Sequence, residues 1–147
     1  MSENKKMVKA SKKEKGFSLI EVLVGITLVA IALVGLAELF TLSVLNNLRS
    51  SEISNATFLA QQEVDHVRTL LSNELTAFPA ITDEQMDING DGAVDFRRIT
   101  QVTSVTSGYD VRVLVFPRKQ LSVAQATLIA SPTLYQVKAQ VDTIITR

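Results

Sequence analysis

From Val22 to Ala37 the chain reads VLVGITLVAIALVGLA, with no charge and with Thr27 as its one polar side chain. Phe17 to Ile20 and Leu39 to Leu42 extend the run on either side. A helix that is apolar all round has no face to turn to water, so it must be buried in protein or in lipid. At a rise of about 1.5 Å per residue, roughly 20 residues cross the roughly 30 Å hydrocarbon core of a bilayer. Phe17 to Leu39 supplies that length, and the run predicts a membrane span. A domain of 147 residues rarely hides so long a helix in its core. A cleavable secretory signal has a shorter apolar region and does not open on a carboxylate, as this one does with Glu21.

Charge gives the orientation. Lys5, Lys6, Lys9, Lys12, Lys13 and Lys15 precede the run and Arg49 is the nearest cation after it. The positive-inside rule therefore predicts a cytoplasmic N-terminus and export of everything from residue 43 onward. Residues 1–16 carry net +4 and the rest of the chain net −4, a basic leader on an acidic body. With zero charge overall, nothing marks a nucleic-acid binder, and the pairs Arg97-Arg98 and Arg118-Lys119 read as solvated ends of strands or loops. The absence of cysteine excludes a disulfide scaffold, a thiolate metal site and a cysteine nucleophile.

Glu21 is the anomaly of the apolar run. A carboxylate costs about 2.5–3.5 kcal/mol at the bilayer centre, less near the interface, unless it finds a cation. The span offers none. A new α-amino group would serve if the chain were cut just before the run, and Lys13-Glu14-Lys15-Gly16-Phe17-Ser18-Leu19-Ile20-Glu21 places Gly and Phe at that boundary.

These residues resemble the N-terminus of type IV prepilins and pseudopilins: a basic leader, Gly, Phe, three residues, Glu and an apolar helix. The resemblance implies cleavage between Gly16 and Phe17 by prepilin peptidase, methylation of the Phe17 amine, and neutralisation of that amine in a neighbouring subunit by Glu21. It implies the type IV pilin fold, an α+β architecture in which a long N-terminal helix packs on a small antiparallel sheet. Implied partners are other pilin subunits, the inner-membrane assembly platform and the lipid bilayer. The stretch Ala30 to Ala37 together with NATFLAQQEVDHVR resembles pilus-modification (PilV-like) minor pilins, and the minor pseudopilins of type II secretion look similar there. Many type IV pilins close a C-terminal loop with a disulfide, which this chain cannot form.

Beyond the span, no Gly or Pro occurs between Gly35 and Pro79, and the helix is predicted to continue from Phe17 to about Leu71. Ile53, Ala56, Ala60, Val64, Val67 and Leu71, flanked by Leu59 and Leu70, recur at helical spacing and mark a packing face. Arg49, Glu52, Asn55, Gln62, Asp65 and Arg68 mark the other. Alternation predicts strands at Tyr109–Phe116 and Tyr135–Asp142, with a third at Ile99–Val105 joined to the first through Ser107-Gly108. Leu121–Ile129 fits a strand or a helix. The organisation is thus a leader at 1–16, a membrane and assembly segment at 17–42, an amphipathic segment at 43–78 and a sheet domain at 79–147 with an acidic loop at 83–95.

That loop reads Asp87-Ile88-Asn89-Gly90-Asp91-Gly92-Ala93-Val94-Asp95, the D-x-N-x-D-G-x-x-D opening of an EF-hand-like calcium loop. Asp87, Asn89 and Asp91 would supply side-chain oxygens, Ala93 a carbonyl, and Asp95 the ninth position. Arg98 stands where the bidentate Glu belongs, leaving Asp83 or Glu84 as substitute. Asn-Gly and Asp-Gly are also common turn dipeptides, so a solvated acidic turn competes with calcium. No catalytic constellation appears: His66 is the only histidine and lies on the polar helix face, and there is no nucleophile elbow or phosphate loop. Glu38, at the outer end of the span, reads as a subunit-packing contact or an interfacial acid. The expectation is a non-enzymatic filament subunit, a minor pilin or a minor pseudopilin, with a membrane-anchored calcium-binding interaction module as the alternative from another class.

Overall fold

The computed structural model describes residues 16–146. Residues 1–15 of the basic leader, which carry the lysines on which the orientation expectation rests, lie outside the described residues. The chain divides into two compact units, one up to Val44 and one from Leu45.

The described part of the first unit is helical after Gly16, Phe17 and Ser18, which have no regular secondary structure. Helix α1 covers Leu19–Thr69 and so continues into the second unit. It starts where the Ser18 carbonyl accepts the N–H groups of Glu21 and Val22, at 3.0 and 3.2 Å. Every described residue of this unit is exposed. The two threonines turn their hydroxyls inward on the helix: Thr27 donates to the Leu23 carbonyl at 2.8 Å and Thr41 to the Ala37 carbonyl at 3.0 Å. A polar side chain satisfied by its own backbone is compatible with a hydrocarbon environment.

In the second unit, α1 buries Ala56, Leu59, Ala60, Glu63, Val64 and Val67, a stripe at three- and four-residue steps. Ile53 and Leu71, expected on this face, are 51% and 59% exposed. The helix stops at Thr69, and the N–H of Leu71 is capped by Glu74 Oε2 at 2.6 Å at the start of a short helix α2, Ser72–Ala77. Four strands follow as an antiparallel meander in chain order: β1 Ile81–Met86, β2 Phe96–Val105, β3 Gly108–Pro117 and β4 Ala139–Ile145. A 3-10 turn at Arg118–Gln120 and helix α3, Gln125–Ala130, lie between β3 and β4.

The pleat sorts β2 and β3 into two apolar faces. Val102 pairs with Val111 and Thr100 with Val113, and these residues face α1 together with Phe96, Val115 and Ile145. On the reverse face Ile99 pairs with Leu114, and with Phe116 they pack on Leu128, Val123, Ile129, Tyr135 and Val137. The central strands are therefore covered on both sides, and each fully buried Val, Ile, Leu or Phe contributes about 1.5–3 kcal/mol by leaving water.

Several expectations are corrected. The last strand is Ala139–Ile145 rather than Tyr135–Asp142. Gln136 adopts a left-handed conformation with φ 54°, which breaks extended pairing and folds Tyr135 and Val137 under the sheet. Residues 83–86, assigned to the acidic loop, belong to β1, so the loop shortens to 87–95. Of the two forms open to Leu121–Ile129 the helix is found: after a turn at 121–124 the segment enters α3. Arg97 and Arg98 are not solvated ends: each is 8% exposed.

Candidate functional site

Gly16, Phe17 and Ser18 precede α1 without helical structure. Phe17 is 82% exposed, and no atom beyond its chain neighbours lies within 4 Å of the Gly16 Cβ position. Among the described residues nothing covers the Gly16–Phe17 bond, a non-helical peptide bond directly before a helix, the local form in which a protease can draw a backbone into its cleft. Glu21 stands in the first turn of α1, where a carboxylate interacts favourably with the helix N-terminus. Among the described residues no cation pairs with Glu21, nor with Glu38 at the far end of the run.

The acidic loop between β1 and β2 is held by its own side chains. Asp87 accepts the N–H of Gly90 through Oδ1 and that of Gly92 through Oδ2, both at 2.8 Å. Asn89 Oδ1 accepts the Asp91 N–H at 3.0 Å, Asp91 Oδ1 accepts the Ala93 N–H at 2.8 Å, and Asp95 Oδ2 accepts the Ile88 N–H at 3.1 Å. Gly90 and Gly92 have φ of 73° and 81°, which only glycine adopts without strain. Among the described residues no three Asp, Glu or His side chains form a ready metal site. The substitute ligands are committed elsewhere: Asp83 holds Arg97 through both oxygens at 2.8 and 2.6 Å, and Glu84 pairs with Arg98.

Sequence reading missed the two arginines that join the elements. Arg98 on β2 lies between Glu63 of α1 and Glu84 of β1, while Thr100 donates to Glu63 Oε1 at 3.4 Å. Arg97 points to the other face, where Nη1 donates to the carbonyls of Gln120 and Val123 at 3.1 and 2.6 Å and fixes the chain after the 3-10 turn. The hydrogen bond from Arg97 to Asp83 pushes its guanidinium pKa up, burial opposes this, and the Asp83 charge adds to the rise. The one available signal was the i, i+1 arginine pair opposite an Asp-Glu pair, since adjacent strand residues point to opposite faces. His66 is exposed on α1, as expected.

Residues 11–37 match the prokaryotic N-terminal methylation motif. No curated protein and no solved structure gives a match to the chain. The motif implies processing by prepilin peptidase and assembly with other pilin subunits. From Leu19 onward the matched residues lie on an exposed helix long and apolar enough to cross a membrane, and the later part of that helix packs on a four-stranded antiparallel sheet. The motif at the N-terminus and the long helix on an antiparallel sheet are together similar to the arrangement of type IV pilins.

Proposed function

We propose that the chain is a minor pilin or pilin-like structural subunit. Prepilin peptidase cuts it between Gly16 and Phe17, its span holds it in the inner membrane with the N-terminus cytoplasmic and the sheet domain periplasmic, and it assembles into a type IV pilus. A minor pseudopilin of a type II secretion system is the neighbouring alternative, with the same processing and a different machine. The observation that carries the reading is the coincidence of the methylation motif at residues 11–37 with a helix whose apolar first half is wholly uncovered. A subunit that leaves lipid for a filament core requires a surface of that kind, and an isolated soluble protein does not expose one. Filaments sheared from cells with a complete assembly machine should contain the chain beginning at Phe17. Its recovery only in membranes, with Gly16 still attached, would favour a membrane-anchored module instead.

For the acidic loop the reading is a weak calcium site. It is supported by the five matched positions and by the way Asp87 accepts from the amides of Gly90 and Gly92, which draws the loop into a tight coil. Asp87, Asn89, Asp91 and Asp95 would then turn their remaining lone pairs to the ion, with the Ala93 carbonyl as fifth ligand, and without a bidentate Glu the affinity would fall in the millimolar range.

A further inference from the structure

A groove of about 750 Å³ runs between the Leu48–Asn55 part of α1, the acidic loop and the chain that follows β3. Its wall carries three cations, Arg118, Lys119 and Lys138, and two carboxylates, Glu52 and Asp95. The carboxylates are already engaged: Glu52 holds Lys138 at 3.0 Å, and Asp95 accepts the Ile88 N–H. Arg118 and Lys119 have no carboxylate partner among the described residues. Gln136, also in the wall, is the one non-glycine residue with positive φ among those described.

The position along the chain says which anion is near. Leu48 comes six residues after Leu42, the end of the apolar run. Six residues reach at most about 22 Å in any conformation, so a bilayer that takes in the run keeps this wall of the groove within reach of its headgroups. We propose that the groove binds the phosphate of an anionic phospholipid headgroup, with Arg118 and Lys119 as its cations. The inference rests on reading the apolar run as a membrane span. It adds a second, polar attachment of the subunit to the leaflet, one that extraction into a filament has to break.

The test uses the full chain, offered equal amounts of phosphatidylglycerol and phosphatidylcholine and examined by native mass spectrometry for retained lipid. The same samples are floated with vesicles. Wild type should float and prefer phosphatidylglycerol. Arg118→Gln with Lys119→Gln should still float while that preference falls about tenfold or more, since each cation near an anionic surface contributes several-fold. Arg112→Gln, a charge change at a residue outside the groove, should leave the preference intact. A chain that floats without preferring phosphatidylglycerol, or whose preference survives in the double variant, overturns the groove. A chain that does not float overturns the span on which the groove depends. Competition by inorganic phosphate as strong as by glycerol 3-phosphate, together with equal retention of the two lipids, would reassign the site to free phosphate.

Discussion

Nη2 of Arg98 lies 2.9 Å from Oε2 of Glu63, a contact between β2 and α1 in which both side chains are less than 10% exposed. With Glu84 on its other side, Arg98 ties the helix to two strands at once. Removing one partner of such a pair leaves a charge in the interior, whereas removing both does not. Glu63→Ala should therefore destabilise the sheet domain by about 3 kcal/mol, and Glu63→Leu combined with Arg98→Met should recover most of that loss. Denaturant unfolding followed by circular dichroism measures both, and a double variant no better than the single would refute the account.

Gly108 closes the β2–β3 hairpin at φ 146°, and a Cβ there would lie 2.0 Å from the Ile145 carbonyl oxygen. Gly108→Ala must push β3 and β4 apart at that end, at a cost of about 2 kcal/mol or more. The expected result is a lower Tm with processing unaffected, because the hairpin is remote in sequence from Gly16.

Asp142 is held below the usual carboxylate range, chiefly by the hydrogen bond from Gln140, with burial opposing and the Arg112 hydrogen bond and charge adding to the fall. Its folded pKa is depressed, so its contribution is fully present above the unfolded value of about 3.9 and is lost as pH falls through the folded one. Both members of the Arg112 pair are 46% exposed, so solvent keeps the effect below about 1 kcal/mol. Asp142→Asn should flatten the wild-type loss of stability below about pH 4, and an unchanged acid slope would contradict the assignment.

The acidic loop gives a prediction in which ion and fold separate. Millimolar calcium should raise the Tm of wild type, and Asp87→Ala should abolish that rise. The variant should also lose about 1 kcal/mol without calcium, because the amides of Gly90 and Gly92 lose their acceptor. A Tm insensitive to calcium in wild type would leave the loop as a self-capped turn.

The sequence made the long helix, β2 and β3 legible because their apolar periodicities are uninterrupted and their neighbours supply breaks. It hid β1, whose ITDEQM reads as a polar loop until Arg97 and Arg98 are seen to neutralise Asp83 and Glu84 across the pair. It also hid Glu63, an acid on the helix face that packs on the sheet, since burial of a charge depends on a cation thirty-five positions away in the chain. The start of the last strand was misplaced because alternation continues through Tyr135 and Val137, while the left-handed Gln136 between them is set by tertiary packing rather than by pattern. Gly16, Phe17 and Glu21 were legible because that signal is a local code, read by an enzyme rather than by the fold.

The most direct measurement is the intact mass and N-terminal analysis of the full chain produced with a prepilin peptidase. A chain that starts at Phe17 and carries one methyl group on its amine is the predicted result, and Gly16→Val should block it. A wild-type chain that retains residues 1–16 beside an active peptidase would contradict the filament-subunit account.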